Sequence, residues 1–203
     1  MSRSNPGGND RLTAAAGLVV LVLGLAEVAT VVLGLHQHLS LHVFIGLILI
    51  PPVLLKLGST GWRFVRYYSG SPSYRSQGAP ETAMRLLAPL LVAATIVVFA
   101  SGVAMGFLHG HALVVARRLH GPSSVVWMIA AGLHALVYLR RALARGRDDV
   151  AAESRRSVRG AGARSYALAL AIVVGVVAGA ATVPVRHHWL DLPRGHDHRE
   201  GRR

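Results

Sequence analysis

The chain has no cysteine, a single lysine and only nine acidic residues among 203. Lacking cysteine, it has no disulfides, no thiolate metal sites and no covalent attachment of a c-type haem. Aromatic residues make up just 6%, a small share for a soluble domain of this hydrophobicity. Several catalytic signatures are also missing. There is no nucleotide-binding glycine loop after a strand, no nucleophile elbow and no zinc-protease helix motif. The connections between apolar runs are too short to fold into an enzyme domain, so catalysis by this chain alone is not expected.

What is present is hydrophobic sequence interrupted by arginine. Apolar residues account for 52% of the chain and charged residues for 15%, with a formal net charge of +13. The arginines fall between apolar runs and do not line one face of a folded domain, which points to a membrane surface and away from nucleic acid. Arginine outnumbers lysine 21 to 1, and Ala, Val and Gly are abundant, a composition that fits a GC-rich bacterial genome. The apolar runs cover residues 12–35, 41–62, 86–108, 122–139 and 166–185. A helix needs about 20 residues to cross the hydrocarbon core, so each run suffices, the fourth only just. The runs are continuous and do not alternate, which excludes a β-barrel. The first is too long for a signal-peptide core and lacks a clear cleavage site. The expected fold is therefore all-α: an integral membrane bundle of five transmembrane helices. Pro51-Pro52 should kink the second, and the carbonyls they free need partners inside the bundle.

Charge in the connections gives a direction. Arg63, Arg66, Arg75 and Arg85 join spans two and three, and eight arginines between residues 140 and 164 join spans four and five. The other two connections hold only Arg117 and Arg118. The positive-inside bias puts the amino terminus and both basic loops in the cytoplasm of a bacterial cell (inner) membrane, with the carboxyl tail outside. This divides the chain into a disordered cytoplasmic segment 1–10, a four-helix core 11–142, a basic loop 143–164, a fifth helix 165–186 and an external His/Arg-rich tail 187–203. Gly102-xxx-Gly106 and Gly175-xxx-Gly179 allow close approach of helix backbones.

Eleven histidines are many for a small membrane protein. In this orientation ten lie at or beyond the outer surface, and only His134 sits near mid-membrane. His120 and His134 are separated by close to four helical turns, so their rings share a face about 21 Å apart along the axis. Two stacked haems need such an arrangement. Span two runs parallel to span four and begins with His42, at a depth matching His120. A haem between these spans takes both as axial ligands. Gly46, one turn from His42, leaves room for a flat macrocycle, as Ala130 and Ala131 do beside His134.

These histidines resemble those of the membrane cytochrome b subunits of bacterial formate dehydrogenases and nickel-iron hydrogenases, and of the related bacterial cytochrome b561 proteins. The resemblance covers spans one to four. It implies a four-helix bundle holding haem b, with His120 and His134 as the paired ligands of the fourth helix and His42 as the outer ligand of the second. It further implies electron transfer between the quinone pool and a redox partner subunit, the chain being a membrane subunit of an oxidoreductase. The pattern departs from that family at the inner haem, whose other ligand comes from the first helix. Span one has no histidine before His36, at its far end. Lys56, on the face of His42, is the one candidate at inner depth, and a lysine ligates iron only when its amine is neutral, as burial favours. One haem b is therefore expected, and the second site is left open. The stretch 41–68 is also similar to the second helix of an uncharacterised group of actinobacterial membrane proteins, a likeness that implies no activity.

Other readings apply to the same residues. An ionisable group within a span is functional by default, and a neutral His134 bonded to a neighbouring helix is the structural alternative. Lys56 also fits a snorkelling lysine. Glu27, three-quarters of the way across span one, suits proton movement or a quinone site, or else pairs with an outer arginine or histidine. Trp62, Tyr67 and Tyr68 form an interfacial belt. The pairs His36/His38 and His109/His111, with His187, His188, His196 and His198 in the tail, suit zinc, copper or nickel. Histidine-based handling of a divalent metal is thus the alternative function, and a membrane scaffold with basic loops is the background case.

Overall fold

The computed structural model describes residues 6–76, 78, 82–146 and 161–182. Segments 1–5 and 147–160 and the tail 183–203, including its four histidines, lie outside the described residues. Six helices follow in order: α1 (Pro6–Val32), α2 (Leu35–Tyr68), the single turn α3 (Pro72–Arg75), α4 (Thr82–Ala104), α5 (Gly110–Gly146) and α6 (Ala161–Ala181). No strand occurs among the described residues. All of these helices except α3 are long and apolar enough to cross a membrane.

The expected all-α bundle of five spans is therefore what the chain forms. Large apolar side chains point outward along it: Leu25 is 62% exposed, Leu86 74%, Ile129 61% and Val177 61%. In water such a surface would aggregate, whereas in lipid it is the solvated face. The protein is a multi-pass membrane helix bundle.

The boundaries of all five long helices differ from the apolar runs, with α2 running six residues past its run at each end and α4 lying four residues earlier than its run. α1 starts at Pro6 and so includes residues expected to precede the first span. α6 starts at Ala161. The largest difference is α5, which extends from Gly110 through His111, Arg117, Arg118 and His120 to Gly146. Its 37 residues give a length of about 55 Å, well beyond a hydrocarbon core of about 30 Å. Helix formation tolerates polar residues that end an apolar run, and arginine is a good helix former.

Packing begins with two antiparallel hairpins. α1 and α2 pair across a turn at Gly34, whose φ of 111° suits a residue without Cβ. Along this pair Asn9 Nδ2 donates to the Ser59 carbonyl (2.9 Å), and Thr13 meets the Ser59 hydroxyl (2.8 Å). α4 and α5 form the second pair, tied by Trp127 Nε1 donating to Thr95 Oγ1 at 3.0 Å. α6 then lies against α2.

The α2–α6 contact accounts for the double proline. α2 continues as one helix through Pro51 and Pro52, and proline at 52 removes the N–H that would bond the carbonyl of Ile48. A Cβ built on Gly175 would lie 2.7 Å from that Ile48 oxygen, and one on Gly179 would lie 2.8 Å from Phe44 Cδ2. Only glycine fits. Gly175-xxx-Gly179 thus brings the α6 backbone onto α2 and sets a glycine Cα–H, a weak donor worth at most about 1 kcal/mol, against the freed carbonyl. Leu49 and Pro52, the largest fully buried side chains, sit at this level.

Candidate functional site

α1 and α2 meet around Glu27 and His42. His42 Nδ1 lies 3.0 Å from Glu27 Oε1, the side chains being 18% and 16% exposed. Thr30 Oγ1 is 3.1 Å from the same nitrogen and donates its own hydrogen to the Glu27 carbonyl (2.6 Å). Both oxygens therefore act as acceptors toward His42, which assigns the ring proton to Nδ1 and the lone pair to Nε2.

His120 is held in the same way by α4. Its Nδ1 lies 3.0 Å from the Val98 carbonyl oxygen, which can only accept, and 3.2 Å from Ser101 Oγ. The proton is again assigned to Nδ1 and the lone pair to Nε2. Gly102 gives the ring its place, since a Cβ there would be 3.1 Å from His120 Cε1. Each hairpin thus fixes one imidazole by its Nδ1.

The two rings meet across the gap between hairpins. Their centroids are 6.3 Å apart and their planes cross at 86°. Two imidazoles bound on opposite sides of one metal, with metal–nitrogen distances of about 2 Å, have centroids roughly 6 Å apart. A ligand nitrogen whose ring partner N–H is bonded to a carboxylate or carbonyl is the common arrangement in metal-binding histidines. The spacing and the outer hydrogen bonds of His42 and His120 are thus of the kind that two imidazoles holding one metal ion would need.

Of the residues expected to line the site, Gly46 lies against Glu27, whose Oε1 would be 3.2 Å from a Cβ at 46. The space that Gly46 opens is taken by the carboxylate that holds His42. Glu27 Oε2 is buried without a hydrogen-bond partner. Thr30, Ser101 and the Val98 carbonyl were not among the expected residues. A signal for Thr30 existed, since it follows Glu27 by one helical turn and shares its face.

A second level lies toward the opposite end of the same helices. His134 is half-buried, with Nδ1 enclosed and lacking a hydrogen-bond partner, and its ring is 4.5 Å from that of Tyr138. Ala130, one turn away, is buried. Lys56 lies within electrostatic range of His134 and crosses α1 at Gly17, where a Cβ would be 2.8 Å from Nζ. Lys56 thus lies near enough to His134 for its charge to act on the ring.

His36, His109 and His111 are exposed and His38 is half-buried. Among the described residues no group of three or more His, Asp or Glu side chains gathers where it could hold a metal ion. No family model matches the chain, and neither does any curated protein or solved structure.

Proposed function

We propose that this protein is a membrane haem-b protein that carries electrons between the quinone pool and a redox partner, and that His42 and His120 would hold the haem. The observation that carries this reading is the close approach of two imidazoles, each tied through Nδ1, with ring centroids 6.3 Å apart. Bound there, a haem supplies a reversible one-electron change at iron, with a potential tuned by its ligands and their surroundings. The chain's own contribution is position and environment. Glu27 and Thr30 orient His42, while the Val98 carbonyl and Ser101 orient His120. The carboxylate beside His42 makes that imidazole a stronger electron donor than a carbonyl partner would. Lys56 and His134 make up the second level, where a further haem would find His134 as one ligand.

In this reading the end bearing Arg11, Arg63, Arg66, Arg75 and Arg85 faces the cytoplasm of a bacterial inner membrane, and the His42–His120 level lies nearer the outside. Protein purified from haem-supplemented cells is expected to give reduced-minus-oxidised b-type absorption bands. His42→Ala and His120→Ala should each abolish most of that signal. A wild-type protein that folds and carries no haem after such expression contradicts the proposal.

A further inference from the structure

At the arginine-bearing end, α1 and α6 diverge around a cleft of about 200 Å³ lined by Arg11, Leu12, Ala15, Arg164, Ser165 and Leu168. It is independent of the histidine site. Arg11 immediately precedes the apolar run of α1, and Arg164 closely precedes that of α6, so both guanidiniums stand where a membrane surface meets its hydrocarbon. Two neighbours mark the same level: Asp10, paired with Arg63 at 3.4 Å, and Trp62, 5.7 Å beneath the Arg66 guanidinium. Glycine at position 8 admits the Arg164 side chain, because a Cβ there would be 3.2 Å from Nη1. Below the two cations the lining turns apolar and faces lipid.

We infer that this cleft binds one anionic phospholipid, its phosphodiester between Arg11 and Arg164 and an acyl chain along Leu12, Ala15 and Leu168. Guanidinium groups present forked donors that match phosphate oxygens, and Ser165 adds a hydroxyl donor. Basic pockets between transmembrane helices at the cytoplasmic side suit anionic headgroups on electrostatic grounds. The polar and apolar halves of the lining match the two halves of a lipid, which a soluble anion does not exploit. α1 and α6 share only a small direct contact, so a lipid lodged here joins them where the protein alone scarcely does.

The test is native mass spectrometry of the full chain in detergent, titrated with phosphatidylglycerol, phosphatidylcholine or inorganic phosphate. One tightly held phosphatidylglycerol is expected, with phosphatidylcholine binding weaker. Arg11→Gln/Arg164→Gln should weaken the tight site by roughly 10- to 50-fold, and Arg117→Gln/Arg118→Gln on α5 should leave it unchanged. Leu168→Trp, which fills the cleft and retains both arginines, should also displace the lipid, and circular dichroism checks that each variant folds. The inference is overturned by equal retention in wild type and the Arg11/Arg164 variant, by equal affinity for the two lipids, or by inorganic phosphate displacing phosphatidylglycerol at equal concentration.

Discussion

His42 and His120 stand ring to ring at 6.3 Å, nearly perpendicular, although each is fixed by a different helical hairpin. α1 sets the first through Glu27 and Thr30, and α4 sets the second through Val98 and Ser101. The two imidazoles owe their meeting to packing between hairpins, while their orientations are decided within each one. These dependences can be separated by mutation.

Glu27 acts on the site through His42. Glu27→Ala leaves Thr30 as the ring's remaining acceptor and is expected to lower haem affinity by about 10- to 100-fold, the usual cost of losing such a partner. Glu27→Gln keeps an acceptor oxygen and should lose much less. Titration of haem into apo-protein measures both. Equal affinities for wild type and Glu27→Ala would remove Glu27 from the site.

Glycines on α6 and α5 should respond oppositely to alanine. Gly175→Ala puts a methyl 2.7 Å from the Ile48 oxygen, a backbone atom that cannot step aside, and should destabilise the bundle by about 1–3 kcal/mol. Gly132→Ala meets nothing within 4 Å and gains up to about 1 kcal/mol of helix propensity. Thermal unfolding in detergent reads both. A neutral Gly175→Ala would mean that α6 does not pack on α2 at this point.

The absence of cysteine makes topology directly measurable. Ser69→Cys, at the end of α2, should react with an impermeant maleimide only after the membrane is opened, whereas His109→Cys, between α4 and α5, should react in intact cells. The reverse pattern would invert the orientation and place the cleft of Arg11 and Arg164 outside.

Much of the fold could be read from the sequence because lipid imposes a simple rule, a run of about 20 apolar residues per crossing. What that rule does not mark is where a helix ends in water. The apolar run around Trp127 begins at 122, yet α5 begins at Gly110, since His111, Arg117, Arg118 and His120 interrupt hydropathy without interrupting backbone hydrogen bonding. The level of His42 and His120 was legible from counting along parallel helices. The pairing of Glu27 with His42 was open to the same count, as the two lie nearly equal numbers of residues from the turn at Gly34. Taking Gly46 as space for a macrocycle considered α2 alone, and the structure gives that space to a carboxylate from α1. The α1–α6 cleft left no mark in the sequence, because it depends on how α6 returns against α2.

Whether two imidazoles share one iron is read most directly by electron paramagnetic resonance of the oxidised protein. A low-spin ferric signal is expected from wild-type protein, converted to high-spin or lost in both His42→Ala and His120→Ala. A high-spin signal in the wild type, or a low-spin signal that survives either substitution, would contradict it.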